Sequence, residues 1–155
     1  MSISSLAFDI MQFFLSLNHR LLTSILYRAG FDLKVVNFFS DYLVNKKTKY
    51  IWNNFSSSSF DVNVGVGQGS ALSPILSVLY LSLFLHILEK HLKNLNLKIS
   101  ILSFIDDGLL ISQSKSFQIF NAHIFSSYNI ASKLLFKFSL LVEHLKIEVF
   151  HFSRL

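Results

Sequence analysis

Residues 98–112 read Lys-Ile-Ser-Ile-Leu-Ser-Phe-Ile-Asp-Asp-Gly-Leu-Leu-Ile-Ser. Two β-prone apolar runs, Lys98 to Phe104 and Leu109 to Ser112, flank the junction Ile105-Asp106-Asp107-Gly108. An Asp-Gly dipeptide between such runs signals a hairpin, because both residues tolerate the positive φ angles of a tight turn. The stretch therefore predicts an antiparallel hairpin with two adjacent carboxylates at its tip.

Outward from this hairpin, the punctuation is local and readable. Ile3 to Asp9 is an apolar strand ending on a carboxylate. Asn18 caps a helix over His19–Ala29, which Gly30 closes, and Asp32 caps a second helix from Leu33 to about Leu43. Thr48–Trp52 and Phe60–Val64 are β-rich runs separated by Asn and Ser, which predicts another hairpin. Gly65, Gly67 and Gly69 form a loop before a long helix, with Ser73 as its cap and Pro74 at its first position, running to about Leu92. A second long helix is expected over Ser116 to about Phe138, and short strands at Leu140–Val142 and Glu148–Phe152. This order predicts an α+β fold, an antiparallel sheet backed by helices on one face in a split βαβ, ferredoxin-like arrangement. One domain over residues 1–155 accommodates it.

Composition narrows the chemistry. With 52% apolar and 15% charged residues, the chain falls below the roughly 25% charge of ordinary soluble domains. Mean hydropathy is +0.49. Surfaces left apolar in this way suit a piece that meets neighbouring domains. A net charge of +5 favours acidic partners, including nucleic acid. The absence of cysteine excludes disulfides, thiolate metal sites and a cysteine nucleophile. The six histidines form no H-E-x-x-H pattern, Ser70 lacks a G-x-S-x-G frame, and no P-loop sequence occurs. The N-terminus has no basic region and carries Asp9 inside its apolar stretch, unlike a signal peptide. Leu72 to Leu88 is near the lower limit of about 17–25 residues for a membrane span. Pro74, Ser77, Ser82 and His86 argue for a buried core helix, and no membrane is expected.

In so sparsely charged a chain, placement of carboxylates is informative. Asp9 ends one apolar run, and Asp106 and Asp107 sit together between two others. No Arg or Lys is adjacent to either site in sequence. Burying like charges without compensation costs several kcal/mol, and divalent metal is one means of offsetting it. Read alone, each motif also fits a solvated turn or an edge carboxylate.

The motifs taken together carry more. Leu6-Ala7-Phe8-Asp9-Ile10-Met11-Gln12-Phe13-Phe14, followed by Leu17-Asn18-His19-Arg20-Leu21-Leu22, resembles the first catalytic motif of reverse transcriptases. The resemblance is closest to those of LINE-type retrotransposons, which lack long terminal repeats. Gly65-Val66-Gly67-Gln68-Gly69-Ser70-Ala71-Leu72-Ser73-Pro74 resembles the family's G-V-P-Q-G-S-x-L-S-P motif, with Gly67 in place of proline. Phe104-Ile105-Asp106-Asp107 is similar to its aromatic-x-Asp-Asp signature. Val142-Glu143-His144-Leu145-Lys146-Ile147-Glu148 resembles the later lysine-bearing motif, with Ile147 where threonine is common; Leu15 is another departure.

The resemblance implies the palm of an RNA-directed DNA polymerase using two Mg²⁺ (or Mn²⁺) ions for nucleotidyl transfer. Asp9 and Asp106 would be the main metal ligands, with the Ile10 carbonyl assisting and Asp107 beside them. Phe14 would be the gate against a ribose 2′-hydroxyl, although by itself it also reads as a core aromatic. Gln68 and Gly69 would lie along the nucleotide and template, and Lys146 would approach the triphosphate. The implied partners are an RNA template with a DNA primer, deoxynucleoside triphosphates, and the finger, thumb and endonuclease regions of a longer chain. The setting would be intracellular, nuclear or cytoplasmic. Little polymerase activity is then expected of the 155 residues alone. A catalytically inactive remnant and a small membrane protein are the alternative readings.

Overall fold

The computed structural model of the chain describes residues 2–44, 46–114 and 117–152. Strand β1 (Ser2–Asp9) leads through a one-turn helix, α1 (Phe13–Ser16), to α2 (His19–Arg28) and α3 (Leu33–Leu43). The Asn18 side chain accepts from the Leu21 N–H, and Asp32 accepts from Lys34 N–H, so both helices start at their expected caps. The Gly30 and Phe31 N–H groups donate to the carbonyls of Tyr27 and Leu26, closing α2. Helix α1 has no counterpart in the sequence reading; four residues give too short a periodicity to detect.

The expected hairpin after α3 has two tiers rather than one. Strand β2 (Lys46–Thr48) pairs with β5 (Phe60–Val62), while β3 (Ile51–Trp52) pairs with β4 (Phe55–Ser56) beyond a break at 49–50. Phe55, which lies among the asparagines and serines expected to form the turn, is a ladder residue opposite Trp52.

Helix α4 (Ser73–Asn94) follows the glycine loop. Ser73 does not cap it; the cap position is Leu72, and the Ser73 hydroxyl instead donates to the Gly67 carbonyl at 2.7 Å. Length and composition alone would let α4 cross a membrane. Its Leu76, Tyr80, Phe84, Leu88 and Leu92 are buried, a stripe of helical spacing that enters the core.

Strands β6 (Ile99–Phe104) and β7 (Asp107–Ser114), helix α5 (Phe117–Lys137) and strand β8 (Glu148–Phe152) complete the chain. Position 116, the expected start of α5, lies outside the described residues. Leu140–Val142 is not a strand; Val142 alone bridges Ile10. The main sheet has the order β6-β7-β1-β8 with every neighbouring pair antiparallel. That is the split βαβ arrangement expected from sequence: the connection from β1 to β6 leaves a gap that β7 fills. Leu6 and Phe8 of β1 and Leu110 of β7 point into the core with Tyr80 and Leu88 of α4 and Ile124 and Leu135 of α5. Among the described residues, α4 and α5 pack against the sheet from this core face.

Candidate active site

Register decides what meets at the open end of this sheet. Residues directly opposite on neighbouring strands project to one face. Asp9 is opposite Asp107, and Asp107 is opposite Phe104, so the three share a row across β1, β7 and β6. The next row on that face is Leu102, Leu109, Ala7 and Glu148.

The turn beside this row differs from expectation. Phe104 pairs with Asp107, so the two loop residues are Ile105 and Asp106, with Ile105 at φ 55°. Asp107 and Gly108 belong to β7. Gly108 serves packing rather than the turn: a Cβ there would overlap the Phe8 ring. The Asp106 carbonyl accepts from the Ile10 N–H at 2.9 Å, which ties the tip to the end of β1.

Residues 143–146 close the site from the side. The Glu143 N–H donates to the Asp9 carbonyl at 2.8 Å, and the following 3₁₀ turn, His144–Lys146, brings in Lys146. Its Nζ donates to Asp9 Oδ2 at 2.5 Å. The hydrogen bond to Asp9 and then that carboxylate's charge raise the Lys146 pKa, with smaller help from Glu143 and Asp106. The lysine side chain is 65% exposed and the aspartate's 17%. A cleft of about 690 Å³ opens here, with Asp9, Asp107, Phe104, Lys146 and Glu148 in its walls.

The expected nucleotide residues lie elsewhere. Phe14, Gln68 and Gly69 are not in the walls of that cleft. Phe14 is half-buried against Phe13, their ring centroids 5.5 Å apart. Its carbonyl accepts from the Val66 N–H at 2.7 Å, joining α1 to the glycine loop. Gly65, at φ +79°, is required there, since a Cβ would sit 2.7 Å from the Leu15 carbonyl oxygen. Gln68 and Gly69 are exposed at the turn of the loop.

Three side chains absent from the sequence-derived site hold this loop. His19 Nε2 lies 2.6 Å from the Gly65 carbonyl, the Tyr42 hydroxyl 2.8 Å from Ser70 Oγ, and Ser73 reaches Gly67. His19 and Tyr42 are 46 and 28 residues from their partners, too far for any local pattern to reveal.

Among the described residues, no group of three or more His, Asp or Glu side chains is arranged to hold a metal ion. The donor chemistry nonetheless suits a hard divalent cation. Two carboxylates are paired face to face, which is destabilising without compensation, and Lys146 supplies one positive charge against Asp9, Asp106 and Asp107.

A sequence-family profile described as reverse transcriptase (RNA-dependent DNA polymerase) matches residues 2–151. No curated protein matches the chain. Among solved structures, it resembles telomerase from Candida tropicalis in complex with a TWJ fragment of telomeric RNA. The TM-score is 0.76 at 16% identity, over 97% of this chain and 26% of that one. Apo telomerase from the same organism gives 0.74 at 17% identity, over 96% and 28%. Telomerase from Candida albicans, also with a TWJ fragment, gives 0.63 at 16%, over 96% and 28%. The likeness is one of fold, and the chain spans between a quarter and a third of those proteins' lengths.

Proposed function

Because this chain belongs to the reverse transcriptase family, we propose that it is the palm of an RNA-directed DNA polymerase, of the LINE-type retrotransposon subclass. The observation that carries the reading is the row of Asp9 and Asp107 beside the Asp106 turn, on the face of the sheet opposite the core. The four motifs, in the family's order, support the subclass.

Asp9 and Asp106, with the Ile10 carbonyl and Asp107, would hold two Mg²⁺ or Mn²⁺ ions. Such ions, when bound, activate the attacking oxygen and stabilise the leaving one. The protein's own part is positioning. The Ile10–Asp106 hydrogen bond fixes the hairpin tip against β1. The link between Val66 and Phe14 fixes the glycine loop relative to α1, so that Phe14, Gln68 and Gly69 can bound a deoxynucleoside triphosphate. Lys146, freed from Asp9, would face the triphosphate. RNA template and DNA primer would lie along the open face of the sheet. Finger and thumb regions on a longer chain would complete the grip, consistent with the share of the telomerase structures that these residues span.

A second reading, a folded remnant without activity, is favoured by one observation: Asp9 is engaged by Lys146. One experiment separates them. The chain is joined to finger and thumb segments of a family member, and primer extension on RNA is measured with Mg²⁺ or Mn²⁺. Wild type should extend. Asp106→Asn should lose on the order of 10³-fold, as expected when electrostatic stabilisation of a transition state is removed. Equal rates for the two, or no extension by either, would favour the remnant.

A further inference from the structure

The turn that carries Gln68 and Gly69 is exposed, yet both of its ends are tied down. Ser70 N–H donates to the Gly67 carbonyl at 3.1 Å, and Gly69 sits at φ +88°, the left-handed third residue that a type II turn requires. At one end the buried Ser73 hydroxyl reaches back from α4 to the same Gly67 carbonyl at 2.7 Å. At the other end Ser70 is a corner shared by two turns, because its own carbonyl accepts from Ser73 N–H at 3.1 Å. Its hydroxyl meets that of Tyr42, 2.8 Å away on α3. Tyr42 is itself held: its neighbour Leu43 is buried in the core, and Lys46 Nζ lies over the ring, 4.0 Å from its centroid. A helix from outside the loop thus grips the turn by one hydroxyl.

Gly67 explains why such a grip is needed. The family's motif has proline at this position, and proline fixes φ at about −65°. Glycine has the widest backbone freedom of any residue and loses the most on being ordered. With Gly67 and Gly69 on either side of Gln68, the backbone has little restraint of its own. Hydrogen bonds from neighbouring elements are what remain to hold it. Unlike Gly65 and Gly69, Gly67 is not at positive φ, and a Cβ added there meets nothing within 4 Å. So neither a left-handed backbone nor a lack of space calls for glycine here.

We propose that the Tyr42–Ser70 hydrogen bond takes the place of the missing proline's restraint. Tyr42 is then a positioning residue for the Gln68–Gly69 turn, and it sets how tightly a deoxynucleoside triphosphate is held against its template base. It acts through Ser70 and not on the nucleotide itself. The proposal rests on the polymerase reading above for what the turn meets.

Tyr42→Phe removes the hydroxyl and keeps the ring under Lys46, and Ser70→Ala removes the other half of the pair. In the 155-residue chain, ¹⁵N relaxation should give Gln68 and Gly69 order parameters of about 0.85, the value of rigid backbone, despite their exposure. Either variant should bring them below about 0.6, and the double variant no further. Gly67→Pro in the Tyr42→Phe background should restore them. The same variants are then measured in the chain joined to finger and thumb segments. Each single variant should raise KM for the matched deoxynucleotide about fivefold, the factor for one hydrogen bond of ordinary net strength, with kcat unchanged. The double variant should match the singles, and Gly67→Pro should return KM toward wild type. A purely structural role would instead cost active enzyme and lower kcat at unchanged KM. The proposal is overturned by that result, by a turn as ordered in Tyr42→Phe as in wild type, by additive effects of the two variants, or by a Gly67→Pro that restores nothing. A wild type that does not extend sinks the polymerase reading and this proposal together. Wild-type extension with an unmoved KM in Tyr42→Phe sinks this proposal alone.

Discussion

At the position where Asp9 and Lys146 meet, one ammonium does work that sequence could not announce. The two residues are 137 positions apart, and the geometry that joins them is the pairing of the sheet. The aspartates themselves were legible because each interrupts an apolar run in a chain with few charges. Gly108 was misread for a physical reason. Asp-Gly is turn chemistry, but here the Phe8 ring needs the space of a missing Cβ, a constraint set by a strand a hundred residues away. Because Lys146 sits on one of the candidate metal ligands, a cation bound at Asp9 must displace the ammonium or share the carboxylate with it. Lys146→Gln should therefore tighten Mn²⁺ binding several-fold, measured by electron paramagnetic resonance of the free ion. Unchanged affinity would mean that the ammonium and the ion do not compete. The pair's pH response follows from the raised lysine pKa. A raised folded-state pKa gives stability that is fully present below the ordinary lysine value of about 10.4 and lost above it. The pair therefore contributes equally across neutral pH and fades only in strong alkali.

Elements with local signals were read well: α2 and α3 begin at Asn18 and Asp32 and the long helices fall near their expected ranges. Those that depend on a partner were not. The two-residue strands β3 and β4 and the bridge at Val142 have no periodicity of their own. The junction of α4 with the end of α5 is a case where an element's position hangs on one group. Tyr80 is fully buried, and its hydroxyl donates to the Phe138 carbonyl at 2.5 Å, where α5 ends. Burial pushes the phenol pKa up to about 12, so the donor proton stays in place throughout the physiological range. Tyr80→Phe keeps the ring and leaves that carbonyl without its donor, a cost of about 1–3 kcal/mol. In a chain of this size each kcal/mol lowers Tm by about 2–4 °C. Calorimetry that finds no change would mean that another donor takes over the Phe138 carbonyl.

On the scale of the whole molecule, the alternation of strands and helices was enough to give the antiparallel sheet and its helical backing, and the family confirms that architecture. The site on the face opposite the core follows from strand order: with β1 interleaved between β7 and β8, Asp9 stands beside Asp107 and within reach of Lys146. The same interleaving has a consequence in time. Residues 2–9 are the centre of the sheet, yet their neighbours are residues 107–114 and 148–152. At a ribosomal pace of about 5–20 residues per second, the first strand spends on the order of ten seconds without either partner. For that interval an apolar segment is exposed, a ready target for a holding chaperone or for misassociation with another nascent chain. Non-local pairing of this kind also slows refolding from denaturant into the millisecond-to-second range. Stopped-flow refolding should fall there, and a microsecond phase recovering the full signal would show that the sheet's centre forms before its flanks arrive.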